Sequence, residues 1–302
     1  MRWEGNRQSD NVIDLRNGVA GAGGAALGLG GTIVVLCLAC CCGLCGGDPS
    51  EILKLLDEDG QGGQRSASQK TKRTKSKASQ QNQAPEGEDR MKAFVSTVLA
   101  DTEDVWNEQL PKQGKRPYVE PKLVIFSDRV SSACGLQSSA IGPFYCPADQ
   151  RIYIDLTFYD DMANQLGAPG DFAQAYVIGH EVGHHIQNLM GISRKVDQMS
   201  RRDGGEGADG PLVRQELQAD CYAGVWAHHA QRVRNILEPG DIEEALGAAS
   251  AIGDDTLQRR GSGRVMPETF THGTSAQRVR WFKVGFESGK MSACDTFRAR
   301  TL

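Results

Sequence analysis

The sequence predicts a helix-rich α+β domain with a small sheet over residues 91–302, preceded by one apolar segment and a polar linker. Three observations predict it. Helical patterns recur in five segments of that region, several with end signals. Only two short runs, 122–127 (KLVIFS) and 151–158 (RIYIDLTF), have the β-branched and aromatic content of strands. The stretch 60–89 contains no Val, Ile, Leu, Met, Phe, Trp or Tyr, so a core has to form after it. With 302 residues, 39% hydrophobic and 24% charged, the chain can build one large domain or two small ones, and it is too long for a disulfide-stapled miniprotein. A net charge of -4 supplies no dominant basic field, so nucleic acid is not an expected partner.

Residues 1–17 read as a polar tail of mixed charge, with Arg2, Arg7 and Arg16 among Glu4, Asp10 and Asp14. Residues 18–45 follow, 28 positions without a charge, where a bilayer-spanning helix needs roughly 20. The second half (TIVVLCLACCCGLC) is the more apolar, which places one transmembrane helix near 25–45. Three arginines before the segment and five acidic residues soon after it (Asp48, Glu51, Asp57, Glu58, Asp59) predict a cytoplasmic tail and an exported domain. A cleaved signal peptide is the alternative, but its apolar region would be shorter, about 7–15 residues. Five cysteines at 37, 40, 41, 42 and 45 read as small hydrophobes, with acylation and metal ligation as the other options. Residues 46–90 are expected to be a flexible linker, whose basic run KTKRTKSK reads as a solvated spacer.

Within 91–302 the first helix covers 91–110, with Phe94, Val98, Thr102, Val105 and Trp106 on one face. The two strands follow, separated by Gly142-Pro143 and Pro147. Tyr153 and its strand are expected to offer a sheet edge to an extended peptide. The next helix starts at Asp171, with Gln174 completing a capping box, and stops at Gly191. A second spans about 211–229 after a Gly/Asp-rich loop. A third begins at Asp241, with Glu244 as box partner, and a fourth covers about 276–288. No internal repeat is present.

The chemistry concentrates on the 171–191 helix, which carries His180-Glu181-Val182-Gly183-His184. Residues four apart share a helical face, so both imidazoles can reach one metal ion, and Glu181 can address a water without occupying the metal. Thirty-two residues later comes Glu216-Leu217-Gln218-Ala219-Asp220 on the next helix. Glu216 is the candidate third ligand. Asp220, on the same face, can accept the other N–H of a ligand histidine. Two histidines and one glutamate leave a position for water, the open arrangement of a catalytic zinc site. The reading is one Zn2+ per chain, with Glu181 as general base in peptide-bond hydrolysis. His272, in Thr271-His272-Gly273, is a candidate donor to the oxyanion; a loop hydrogen-bonding role is the alternative. His185 points off the ligand face. His228 and His229 are placed at a helix end and given no chemistry.

Four cysteines lie outside the apolar segment: Cys134, Cys146, Cys221 and Cys294. An even count in an exported domain suggests two disulfides, of three possible connectivities. Cys134–Cys146 and Cys221–Cys294 are favoured, and four buried thiols are the alternative.

On these residues the chain resembles a bacterial family of neutral zinc metallopeptidases. The resemblance rests on MRWEGNRQSDNVIDLR, the Gly-rich apolar segment, GPFYCPADQRIYIDLTF, GDFAQAYVIGHEVGHHIQ, RQELQADCYAGVW, FTHGTSAQRVRWF and CDTF. It implies a membrane-tethered, zincin-like metallopeptidase domain with His180, His184 and Glu216 as zinc ligands and Glu181 as catalyst. The HExxH and ExxxD pair, with the later His-to-Arg element ending at Arg278, is also similar to gluzincin peptidases of the CAAX-processing and HtpX type. The expected activity is a membrane-anchored zinc endopeptidase acting on extracytoplasmic proteins or peptides. A tethered scaffold with a stabilising zinc site is the rival. Substrate preference and oligomeric state are not encoded in these motifs.

Overall fold

A computed structural model describes residues 1–16, 86–114 and 117–302. The proposed transmembrane segment, 18–45, and the linker up to residue 85 lie outside the described residues. Among the described residues no helix is long and apolar enough to cross a membrane.

The chain opens with strand β1 (Val12–Asp14). Helix α1 (Glu86–Gln109) follows, starting five residues before the expected domain boundary at 91. Then come β2 (Lys122–Phe126), the hairpin β3 (Arg129–Ser132) and β4 (Gly135–Ser138), β5 (Phe144–Cys146) and β6 (Arg151–Asp155). The remainder is helical: α2 (Thr157–Asn164), α3 (Asp171–Leu189), α4 (Ile192–Asp203), α5 (Pro211–Arg234), α6 (Asp241–Ala251), α7 (Asp254–Gly261) and α8 (Ser275–Ser288). This is the helix-rich α+β architecture expected.

The main sheet has four strands in the order β1-β2-β6-β5. β1 and β2 run parallel, with Val12 opposite Leu123 and Asp14 opposite Ile125; β2 and β6 are also parallel, and β5 is antiparallel to β6. Leu123 and Ile125 of β2 and Ile152 and Ile154 of β6 alternate into the main core, while Val124 and Tyr153 face a second, smaller cluster. Tyr153 is therefore on an internal strand, and the edge strands are β1 and β5.

Residues 1–16 are not a separate tail. β1 adds to the sheet, and the Ser9 hydroxyl and Asn11 amide donate to the buried Glu103 carboxylate of α1. Arg7 completes that site from the other side at 3.0 Å. A buried carboxylate needs such partners, so this segment is tied into the domain by desolvated polar contacts as well as by the sheet. A strand hydrogen-bonded into the sheet makes residues 12–14 part of the same folded unit as 122–155.

Helix α3 lies at the centre and touches α1, α4, α5, α6, β5 and β6. It is buried from Phe172 to Gln187 apart from Gln174, so the apolar stripe in its sequence is one side of a core helix covered all round. Its start also differs from expectation. Asp171 is the first helical residue and makes no capping hydrogen bond; its carboxylate pairs instead with the Met1 ammonium at 2.6 Å. The donor at Phe172 N–H is satisfied by Glu244 of α6, at 3.0 Å. Glu244 therefore serves a neighbouring helix, because α6 packs across the start of α3, and α6 itself has no side-chain cap. The capping box that does form is Thr274 with Gln277, at the start of α8.

Helix α5 continues past His228 and His229 to Arg234 and ends at Asn235 in the left-handed conformation. Both imidazoles bond to backbone oxygens at the far end of α8, His228 to Phe286 and His229 to Gly289. Two disulfides form, Cys134–Cys146 and Cys221–Cys294. The first ties the β3–β4 turn to β5, and the second ties α5 to the C-terminal segment.

Candidate metal centre

His180 and His184 project from α3 one turn apart, and Glu216 and Asp220 project from α5 one turn apart. The crossing brings all four together because Gly183 carries no side chain. A Cβ there would lie 2.9 Å from the Ala219 carbonyl oxygen and 3.0 Å from its Cα. The glycine within the motif therefore sets the closeness of the two helices.

The Nε2 atoms of His180 and His184 lie 3.1 Å apart. Glu216 reaches both, at 3.1 Å from His180 and 3.4 Å from His184. All three side chains are buried, and their donor atoms lie within 4.8 Å of one another. The other ring nitrogens are committed. His180 Nδ1 lies 2.8 Å from Asp220, and His184 Nδ1 lies 3.0 Å from the Gln187 side-chain oxygen. With each Nδ1–H donated outward, both Nε2 atoms face one point together with a carboxylate. Nitrogen and oxygen atoms converging in a buried space need a proton or a cation among them, so the donor set fits a divalent metal. Nitrogen and oxygen donors of this kind suit zinc.

Electrostatics agree. Burial opposes a charge on His180, yet Asp220 and then Glu216 hold its pKa up to about 10. The field that favours a proton there favours a divalent cation too. Burial would raise the Glu216 carboxyl, but His184 and His180 hold it well below its usual range. The Asp220 carboxyl is likewise lowered, burial being outweighed by Arg278 and His180.

Arg278 of α8 grips Asp220 with two hydrogen bonds of 2.9 Å each, and the Tyr176 hydroxyl donates to the same carboxylate. Asp220 is thus held by three hydrogen bonds from two groups, and its remaining oxygen capacity is directed at His180. Arg278 and Asp220 are both buried, and such a pair is retained where geometry matters more than net stability.

Glu181 differs from its neighbours. It is buried, and among the described residues no hydrogen bond ties its carboxylate down. Burial raises its pKa against the opposing pull of His184 and His180. An untethered carboxylate with raised basicity beside the donor cluster is suited to proton transfer.

His272 lies in the loop before α8, close enough for its charge to act on Glu216. Asp254, at the start of α7, accepts the backbone N–H groups of Thr271, His272 and Gly273 at 2.7 to 2.9 Å and faces His272 Nδ1 at 3.3 Å. The loop is therefore wrapped around one buried carboxylate.

His185 belongs to packing. Its Nε2–H donates to the Val119 carbonyl at 2.6 Å and its Nδ1 accepts from the Tyr145 hydroxyl at 2.9 Å. Burial lowers its pKa to about 4, so it is a neutral link between α3 and β5. A second group of carboxylates, Asp171, Asp241 and Glu244, lies at the other end of α3 and carries the Met1 ammonium against Asp171 and Asp241.

Asp254, Tyr176, Gln187 and Gln218 escaped the sequence reading. Gln187 had a local signal, three positions after His184 and so on its face. Gln218 lies inside the second motif. Asp254 had none, since its partners are 17 to 19 residues away across a loop.

A buried His-His-Glu donor set on two crossing helices, with an untethered glutamate beside it, could hold a metal ion in the arrangement used by metallopeptidases. The chain belongs to the family described as "Putative neutral zinc metallopeptidase", whose model matches residues 1–297. It is similar to the uncharacterized protein YpfJ of Escherichia coli, 47% identical over 98% of this chain and 99% of that protein. It is also similar to the uncharacterized protein Rv2575 of Mycobacterium tuberculosis, 46% identical over 66% of this chain and 68% of that protein. No solved structure matches the chain.

Proposed function

We propose that this protein is a zinc-dependent endopeptidase hydrolysing peptide bonds of extracytoplasmic proteins or peptides. The carrying observation is the convergence of His180, His184 and Glu216 beside the untethered Glu181. Nε2 of each histidine and the Glu216 carboxylate would hold one zinc ion. Zinc, when bound, supplies Lewis acidity and lowers the pKa of a water toward about 7. Glu181 takes the proton from the attacking water and passes it to the leaving amine. His272, its loop held by Asp254, offers a hydrogen bond to the oxyanion. Asp220, clamped by Arg278 and Tyr176, keeps His180 in the tautomer that presents Nε2 inward. An extended substrate adds to the outer edge of β5, which has no strand partner on that side among the described residues.

Two disulfides support an oxidising, extracytoplasmic setting. The apolar content of 18–45 supports membrane attachment.

The test uses the full chain. Zinc content and cleavage of unfolded proteins are measured for the wild type, Glu181→Gln and His184→Ala. The expected result is one zinc and cleavage for the wild type, zinc without cleavage for Glu181→Gln, and loss of zinc for His184→Ala. Equal behaviour of wild type and Glu181→Gln would favour a scaffold and refute the enzyme.

A further inference from the structure

The two histidines are held outward by different chemistry. His180 donates to a carboxylate, whereas His184 faces the neutral amide of Gln187. Gln187 is completely buried, and its amide has no freedom to turn over. Its NH2 group donates to the Gln215 carbonyl at 2.6 Å and to the Gln218 side-chain oxygen at 3.2 Å. A flipped amide would set two oxygens 2.6 Å apart at a side chain that is fully buried. Gln218 is fixed in turn, since its NH2 donates to the Cys294 carbonyl at 2.8 Å. The Cys294 carbonyl is held in place by the disulfide to Cys221, one turn from Gln218 on the same helix. The neighbouring Thr296 hydroxyl adds a bond to the Arg214 carbonyl at 2.6 Å.

The direction of every hydrogen bond in this chain follows from two backbone carbonyls, which can only accept. Gln215 and Cys294 take N–H groups, so both side-chain oxygens point up the chain toward His184. An oxygen facing Nδ1 requires a proton there. In the neutral ring that binds a metal, Nε2 is then the unprotonated nitrogen, the one facing Glu216 and His180.

We infer that Gln187 and Gln218 are positioning residues that fix the tautomer and ring orientation of His184 for metal binding, through a relay anchored on the C-terminal segment at Cys294. The inference rests on the reading of His180, His184 and Glu216 as a zinc centre. It goes beyond that reading by giving the C-terminal disulfide a mechanical link to a ligand about one hundred residues earlier in the chain. A neutral amide sets the tautomer without adding a further buried negative charge to those of Asp220 and Glu216.

The test measures zinc affinity of the full chain by competition with a chromogenic chelator, for the wild type, Gln187→Leu, Gln218→Leu and Thr102→Val. Thr102→Val removes a buried hydroxyl that donates to Leu99 at 2.7 Å and touches no part of the relay, so it reports on general loss of stability. Nitrogen-15 labelling of the six histidines reads the His184 tautomer directly in the zinc-loaded protein. Gln187→Leu is expected to weaken zinc binding about 10–100-fold and to lose the protected Nδ1–H signal of His184. Gln218→Leu shifts both readouts in the same direction by a smaller factor, and Thr102→Val shifts neither. Zinc affinity of Gln187→Leu within about twofold of wild type, with the Nδ1–H signal unchanged, would overturn the relay while leaving the metal centre standing. If Gln187→Leu does not fold, Gln218→Leu decides by the same two readouts, and no shift in either overturns the relay. A wild type that binds no zinc overturns both.

Discussion

Replacing Gly183 by alanine tests whether the distance between α3 and α5 sets the site. The added Cβ would lie 2.9 Å from the Ala219 carbonyl oxygen and 3.0 Å from its Cα. Non-bonded carbons rest at about 3.5–4.0 Å, so α5 has to retreat by roughly 0.5–1 Å. Both obstructing atoms are backbone, so no side-chain rotation relieves the clash. Forcing one methyl into a packed interior costs about 1–3 kcal/mol. The retreat also carries Glu216 and Asp220 away from His180 and His184. Metal and catalytic groups tolerate displacements of about 0.5 Å, so zinc affinity is expected to fall together with stability. The assay pairs urea unfolding of the metal-free protein with chelator competition. Gly247→Ala, in α6, is the control: a Cβ there meets nothing within 4 Å, and stability is expected to rise by about 0.5–1 kcal/mol. A Gly183→Ala protein as stable as wild type, with unchanged zinc affinity, would refute the claim that this contact positions the ligands.

Arg278→Met leaves Asp220 buried without its main partner and is expected to cost about 3–5 kcal/mol, measured by chemical denaturation. Asp220 and Asp254 both titrate below their ordinary value of 3.8 in the folded protein, so their contribution to stability is complete above that pH and is lost as pH falls through the folded values. Acid denaturation of metal-free protein should show this loss below pH 3.8, and Asp254→Asn should reduce its steepness. Opening Cys221–Cys294, which closes a separation of 73 residues, should cost about 4 kcal/mol on chain entropy, against about 3 for Cys134–Cys146 with its separation of 12. Unfolding of the paired serine variants checks the order. Truncation to 91–302 removes β1 and every side-chain partner that Ser9, Asn11 and Arg7 give Glu103, so the truncated protein should melt well below the full chain. Equal melting temperatures would show that residues 1–16 contribute nothing.

Much of the site could be read from spacing, because its parts are local. His180 and His184 share a face of one helix, Glu216 and Asp220 share a face of another, and a 3.6-residue period requires both pairings. Long amphipathic segments were equally readable, and the helices from 171 and 211 stand where periodicity put them. Cysteine arithmetic limited the disulfides to three connectivities but could not choose among them by itself.

What escaped the sequence depended on neighbours distant along the chain. β1 is three residues whose identity as a strand comes from pairing with Leu123 to Ile125, so a mixed-charge segment read as a loose tail. Glu244 looked like the cap of its own helix and serves another, because which donor it meets is decided by helix packing. Tyr153 had the pattern of a strand, but which strand forms the edge is a property of sheet order. The sequence by itself determined the candidate donor groups and the helices that carry them. Only the tertiary structure decided how those groups are aimed. Orientation is set by buried hydrogen bonds that Arg278 donates to Asp220 and Gln218 donates to the Cys294 carbonyl, partners brought into range by folding rather than by helical spacing.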